Sequence, residues 1–294
     1  MHYLHSRPAW LLLICVVFGV CSIYFAYAWN TNSTSSGSGT LMVYFLDIGQ
    51  GDASLIKTPE NTWILIDTGP TPTQLFKALK KVPHFPNKID LFLLTHPHKD
   101  HIGALSSLID RMPIGAILYN GNVEDKEQEQ VLTKAEKSHI PIYQASAGQD
   151  IQVGNQTILD ILMVPTNEEI GDNLNNASLL VKLSSGKHSF LFAGDAEVPL
   201  EHEALSSGID LDAEYLKGGH HGSSTSSSYT FLQAVSPVEV VFSNGKNNSF
   251  KHPHEEVLTR LKRMHIPYFN TSEHGTISYT CSYTSACSQY LERS

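Results

Sequence analysis

The chain has 294 residues, 41% of them hydrophobic and 17% charged, a composition that makes a globular core and excludes a disordered or fibrous polypeptide. Its formal charge of -9 excludes a protein that coats nucleic acid through a broadly basic surface, though not one that acts on nucleic acid at a local site. Four cysteines are too few for a disulfide scaffold, so the compositional excess that needs explaining is the 15 histidines.

Residues 9–28 form an uncharged apolar run, preceded by Arg7 and ended by Ala26-Tyr27-Ala28, the small-x-small pattern of a signal-peptidase site. A run of about 20 residues is also long enough to span a bilayer as a helix. Residues 1–28 therefore read as a signal peptide or a membrane anchor, and the chain as secreted or held on the outer side of a membrane. Residues 29–40, rich in Ser, Thr, Asn and Gly, read as a flexible linker. Loss of residues 1–28 removes only Arg7 among charged side chains and leaves a charge of -10.

From residue 41 onward, short apolar strands alternate with helices. Strands are expected at 41–46, 53–57 and 63–67, with turns at Gly49-Gln50-Gly51-Asp52 and Pro59-Glu60-Asn61. A helix at 72–81, a buried strand at 89–94, a helix at 102–112, a strand at 116–119 and a charged helix at 125–138 follow. Further strands are expected at 156–163, 178–183 and 189–193, then a helix at 197–207, a strand at 213–216, a helix at 227–234 and a strand at 238–243. A helix at 253–265 opens on Pro253, and 276–281 reads as the last strand. No linker interrupts 41–294, which reads as one mixed α/β domain. In an oxidising compartment Cys281 and Cys287 are placed to close a small loop; two free thiols are the alternative.

The chemistry gathers where the strand at 89–94 ends. His96-Pro97-His98-Lys99-Asp100-His101 puts four cation-binding side chains into six residues, between a buried strand and a helix. His96 and His98, two apart, face one way in an extended loop, and Asp100 and His101 follow as the chain turns. Imidazole and carboxylate suit Zn²⁺, and also Mn²⁺ or Fe. Three more strand ends carry candidates. Gly194-Asp195 offers a carboxylate able to bridge two ions. In Lys217-Gly218-Gly219-His220-His221-Gly222-Ser223, glycines flanking paired histidines allow close backbone approach to a ligand. Beyond Asn244-Gly245, His252 reads as a substrate contact, a general acid or a plain helix-start residue. His274 is ambiguous, His254 reads as a surface residue, and the remaining histidines, His188 among them, have no such context. Two basic clusters, Lys77, Lys80 and Lys81, and Arg260, Lys262 and Arg263, read as solvated helix faces.

His96-x-His98-x-Asp100-His101 resembles the signature of the metallo-β-lactamase superfamily. The ordered set Asp47-Ile48-Gly49-Gln50-Gly51-Asp52, Leu65-Ile66-Asp67-Thr68-Gly69, Asn176-Ala177-Ser178-Leu179, Phe192-Ala193-Gly194-Asp195, Leu216 to Ser223 and His252-Pro253 is similar, more narrowly, to the C-terminal domain of competence proteins of the ComEC type. The resemblance covers nearly all of residues 41–280. It implies a four-layer αββα sandwich with the site at one sheet edge, and two divalent ions, zinc first and manganese as the alternative. His96 and His98 would hold one ion; Asp100, His101 and His220 would hold the other; Asp195 would bridge them. In that pattern His220, rather than His221, is the ligand. Asp67 would orient a ligand, Asp52 and Asp47 would shape the first loops, and Asn176, Lys217 and His221 would stand close to ligands or substrate. A histidine commonly precedes the strand that here follows Asn175-Asn176, which leaves the first ion with fewer strong ligands. The implied function is metal-dependent hydrolysis outside the cytoplasm, of phosphodiesters first, DNA among them. Asp100 or Asp195 would position the attacking water, and His252 or Lys217 would serve the leaving group or bind phosphate. The alternatives are hydrolysis of esters, amides or lactones, and a non-catalytic competence-related binding module. A membrane partner is implied only through an uncleaved N-terminal segment.

Overall fold

The computed structural model describes residues 39–121, 125–171 and 173–293; the expected leader and almost all of the linker lie outside the described residues. In chain order the elements are β1 (Leu41–Phe45), β2 (Ser54–Lys57), β3 (Trp63–Ile66), α1 (Pro72–Leu79), β4 (Leu91–Leu94), α2 (Lys99–Ile102), α3 (Leu105–Arg111), β5 (Ile117–Tyr119), α4 (Lys126–Lys137), β6 (Ile142–Gln144), β7 (Gln149–Gln152), β8 (Thr157–Met163), α5 (Asn167–Ile170), β9 (Leu180–Ser185), β10 (His188–Phe192), α6 (Val198–Ser206), β11 (Tyr215–Lys217), α7 (Tyr229–Val235), β12 (Glu239–Phe242), α8 (Glu255–Arg263), β13 (Tyr268–Asn270), α9 (Thr271–His274), β14 (Ile277–Cys281) and β15 (Ser288–Leu291).

The strands form two sheets, one in the order β15-β14-β1-β2-β3-β4-β5-β6 and the other in the order β13-β12-β11-β10-β9-β8-β7. Alternating side chains explain the layering. In β4, Leu91 and Leu93 enter the core between the sheets with Phe45, Val181, Phe192 and Val241. Phe92 and Leu94 face the opposite way and pack with Leu75, Leu105, Leu108 and Val131 of α1, α3 and α4. Buried on both faces, β4 therefore reads as an unbroken apolar run. The second sheet is covered by α6, α7 and α8 through Leu200, Leu232 and Leu261. The result is the αββα sandwich that the family resemblance implies. Among the described residues, no helix is long and apolar enough to cross a membrane.

Local chemistry sets most boundaries. Thr71 caps α1 by accepting from the Gln74 amide, with Pro72 in the first turn, and Asp125 caps α4 in the same way. Three expectations are corrected. The helix expected at 102–112 is two helices broken at Gly103, where a Cβ would collide with the backbone oxygens of Pro70 and Lys99. The first of them, α2, starts earlier, so Asp100 and His101 lie in a helical turn and His98 precedes it. Pro253 lies outside α8, which starts at Glu255. Finally, 276–281 is not the last strand, and β6, β7, β13 and β15 are additions to the expected set. All four are sheet edges. Three or four residues long, with largely partial burial, they carry little apolar signal.

Cys281 and Cys287 form a disulfide that closes the β14–β15 hairpin. His188, to which the sequence assigns no role, is 3% exposed and braces that hairpin: Nε2 lies 2.9 Å from the Ser282 carbonyl oxygen, and Nδ1 lies 2.6 Å from Glu214 Oε2.

Candidate metal centre

The ends of β3, β4, β10, β11 and β12 converge on one rim of the sandwich and bring the candidate residues together. Asp67 follows β3 and is fixed by Thr95, whose amide and hydroxyl donate to its two carboxylate oxygens at 2.9 and 2.7 Å. The loop between β1 and β2 packs directly on the histidine cluster: the Asp52 amide donates to the Asp100 carbonyl at 3.1 Å. Gly51 stands there at φ +129°, where a Cβ would strike Asp100.

Two groups of ligand atoms share Asp195. The first holds His96, His98 and Asp195; the second holds Asp100, His101, Asp195 and His221; within each, the ligand atoms lie within 4.8 Å of one another. In the first, His96 Nε2 is 3.1 Å from His98 Nδ1 and 3.7 Å from Asp195 Oδ2. In the second, Asp195 Oδ2 is 3.2 Å from His101 Nε2 and 3.4 Å from His221 Nε2, and Asp100 Oδ2 is 3.1 Å from His221 Nε2. Donors bonded at about 2.0–2.1 Å to a tetrahedral ion stand about 3.4 Å apart, so both groups match the spacing of a common cation. The unsatisfied atoms agree. His101 Nε2 and Asp195 Oδ1 are buried without a hydrogen-bond partner, as are the amide oxygens of Asn175 and Asn176. The residues therefore fit a pair of divalent cations.

One ligand differs from the sequence expectation. His221, not His220, enters the second group. His220 and His221 both adopt left-handed backbone conformations, with φ of 45° and 55°, a strained geometry for non-glycine residues that recurs at functional sites. This turn drives the two rings apart. His221 is 1% exposed, and its Nδ1 lies 3.1 Å from Asp52 Oδ1 and 3.0 Å from the Ser243 carbonyl oxygen. Both partners only accept, so Nδ1 carries a proton and Nε2 is the atom turned to the centre, where a bound cation would take the place of its proton. His101 repeats the device, with Nδ1 2.8 Å from Asp67 Oδ2. His220 instead stands 3.9 Å from Asp195 Oδ2 and is held by Glu197, 3.1 Å from its Nδ1.

Electrostatics point the same way. Four carboxylates, Asp52, Asp67, Asp100 and Asp195, gather here, and of these Asp52 pairs with the buried ammonium of Lys217. Burial opposes charge on every group here, yet the Asp195 and Asp67 carboxylates push His101 well above the usual imidazole range, and Asp195 and Asp52 do the same for His221. Burial likewise works against ionised Asp195, and His221 and His101 outweigh it, holding that carboxyl well below its usual range. His96, buried and facing the positive His101, is pushed well below the usual imidazole range. The cluster thus demands positive charge, which imidazole protons or a dication can supply.

The other expected residues fall as follows. Lys217 is 2% exposed and paired with Asp52 Oδ2 at 2.8 Å. It supports the Asp52–His221 contact from behind and is not placed to serve a leaving group. Asn176 is buried beside Asn175, whose Nδ2 donates to Glu197 Oε1 at 3.0 Å. His252 lies at the mouth, its ring 5.4 Å from that of His220 and stacked on the exposed Phe250. Burial, then the charges of His221 and His220, lower His252 to about 4, so it is neutral at neutral pH and not poised as a general acid. Asp47 joins neither ligand group and pairs with Arg293 at 3.0 Å. Sequence reasoning gave no role to Glu197, Thr95 or Ser178, whose hydroxyl accepts from the Asp195 amide at 2.9 Å. Ser178 lies within a recognised motif and Thr95 directly precedes one, whereas nothing local marks Glu197.

Comparison with known proteins agrees with this geometry. The profile described as the metallo-beta-lactamase superfamily matches residues 46–245. ComE operon protein 3 of Bacillus subtilis (strain 168) is 31% identical over 257 residues, covering 81% of this chain and 32% of that protein. Recombination protein 2 of Haemophilus influenzae is 30% identical over 246 residues, covering 81% of this chain and 28% of that protein. The chain therefore spans about a third of the length of the curated relatives it matches. Among solved structures, the metallo-beta-lactamase fold protein YhfI from Bacillus subtilis has a TM-score of 0.58 at 15% identity, covering 82% of this chain and 100% of that one.

Proposed function

The chain belongs to the metallo-β-lactamase superfamily, and on that premise we propose that it is a metal-dependent phosphodiesterase of nuclease type, acting outside the cytoplasm. The observation that carries this reading is the convergence of six side chains, His96, His98, Asp100, His101, Asp195 and His221, into two cation-sized groups that share Asp195. The name of one relative, Recombination protein 2, supports nucleic acid as the substrate. The Cys281–Cys287 disulfide supports an oxidising compartment. Zinc is the first choice for an imidazole and carboxylate set, and manganese the second.

Divalent cations at such a site lower the pKa of a water and neutralise charge developing on the oxygens of a diester. The protein's own part is orientation and charge. Asp67 and Asp52 hold the Nδ1 protons of His101 and His221 and so aim both Nε2 atoms inward. Asp195 belongs to both ligand groups and ties them together. Asp100, 32% exposed at its side chain, is the carboxylate most open to the mouth and to an incoming water. His252 presents a neutral imidazole there as a hydrogen-bonding group for substrate oxygen. Three donors in the first group against four in the second predict that the second site fills first.

The test is metal analysis with a substrate panel of single-stranded DNA, bis-p-nitrophenyl phosphate, phosphocholine esters and lactones. Two ions per chain and cleavage of both phosphodiesters are expected, with His98→Ala inactive. Cleavage of lactones or carboxylic esters alone by the metal-loaded protein overturns the phosphodiesterase reading.

A further inference from the structure

Beside the metal centre lies a second, cationic cleft of about 240 Å³. Lys77 of α1, Lys81 just beyond it, Lys246 in the loop after β12 and Arg293 after β15 line it, together with Asp47 and Ser272. These four cations come from separated parts of the chain. Arg293 pairs with Asp47 at 3.0 Å and Lys81 with Glu292 at 2.5 Å. Neither Lys77 nor Lys246 forms an ion pair among the described residues. Four cations against the carboxylates of Asp47 and Glu292 leave an excess of two positive charges, in a chain whose formal charge is -9. In a protein this acidic, such a concentration of positive charge marks a place for an anion.

The cleft and the metal centre share a wall. The loop between β1 and β2 lines the cleft with Asp47 and Gly49. Its next residue, Gln50, reaches the mouth of the metal centre, with Nε2 3.5 Å from His252 Nδ1. Gln50 Oε1 also accepts from the amide of Gly245, the residue before Lys246. The same loop ends at Asp52, against His221. The loop between β1 and β2 therefore runs from the cleft to the mouth of the metal centre at His252.

We propose that this cleft is a second phosphate subsite, in which Lys77 and Lys246, with Lys81 and Arg293, hold a backbone phosphate of a phosphodiester polymer whose scissile phosphate lies at the metal centre. This deepens the phosphodiesterase reading and rests on it for the position of the scissile group. The test is the charge-reversed pair Lys77→Glu with Lys246→Glu, both exposed side chains, in the metal-loaded full chain. Binding of a fluorescent single-stranded DNA oligonucleotide is measured against salt, beside turnover of bis-p-nitrophenyl phosphate, a diester too short to reach the cleft. The expected result is binding weakened roughly tenfold and a slope of log affinity against log salt shallower by about 0.7 for each phosphate that is no longer neutralised, with unchanged turnover of the small diester. Unchanged affinity and slope overturn the subsite, and so does an equal loss of small-diester turnover, which would place the effect at the metal centre. An abasic oligomer of the same length gives a second arm: an equal loss there supports phosphate recognition, and a loss seen only with bases overturns it in favour of base contacts. If wild type cleaves neither diester, the phosphodiesterase reading fails, while the binding comparison still decides the cleft.

Discussion

His221→Ala removes an imidazole whose Nε2 stands 3.1 Å from Asp100 and 3.4 Å from Asp195, and whose Nδ1 holds Asp52. The second cation group falls from four donors to three. Loss of an outer hydrogen-bond partner alone lowers metal affinity about 10- to 100-fold, and loss of a ligand exceeds that, so the variant should retain at most one ion through gel filtration. The metal-free protein should suffer as well. Asp195 and Asp52 are 1% and 4% exposed and would lose a cationic partner inside the fold. Asp52 keeps Lys217 and Asp195 keeps His101, so the cost is that of lost charged hydrogen bonds, about 1.5–3 kcal/mol, which at roughly 2–4 °C per kcal/mol for a domain of this size lowers Tm by at least about 3 °C. His220→Ala is the matched control. It removes a ring with 22% side-chain exposure and its hydrogen bond to Glu197, a cost of about 1 kcal/mol, and should keep the second ion. Metal content by plasma emission and thermal unfolding with and without chelator measure both variants. Loss of an ion and of stability in His220→Ala, with His221→Ala unaffected, would refute the ligand assignment.

Three further outcomes are expected. Asp67→Asn keeps the shape of the group that receives the Thr95 amide but removes the carboxylate on His101 Nδ1; metal affinity should fall about 10- to 100-fold, read by competition with a chromophoric chelator. Burial raises Glu239 to about 7, although the Tyr279 hydroxyl donates to it. Raised above its unfolded value, its ionisation in the native state destabilises, absent below about pH 4.5 and complete once the pH has risen through 7. Glu239→Gln should therefore stabilise by roughly 1–2 kcal/mol at pH 8, discounted for partial exposure, and by little at pH 4.5; equal effects in urea unfolding at both pH values would contradict this. Reduction of Cys281–Cys287, six positions apart, should lower stability by about 2 kcal/mol through the freed hairpin, with an unchanged unfolding midpoint as the contrary result.

Most of the centre was legible because its first ligands are local. His96, His98, Asp100 and His101 lie within six residues after an apolar strand, and that order survives any detail of packing. The mixed α/β class was legible for a related reason: strands buried on both faces, such as β4, show themselves as apolar runs, whereas the two-sheet sandwich was implied by the resemblance of the motifs. The four edge strands did not, since a strand with one neighbour and partial burial needs no such run. Which of His220 and His221 joins the second group of ligand atoms shows only in three dimensions. Adjacent residues in a left-handed turn point apart, and the choice depends on Asp52, 169 positions away, receiving one of the two Nδ1 protons. The cationic cleft has the same origin. Lys77 and Lys81 read locally as a solvated helix face, and only the closure of both sheets brings Lys246 and Arg293 beside them. The sequence by itself determined the fold class and the chemistry of the ligands, because apolar period and residue type act over short range. The tertiary structure decided which ligand is aimed, what holds it and where a second anion would sit, because those depend on charges brought together from distant parts of the chain.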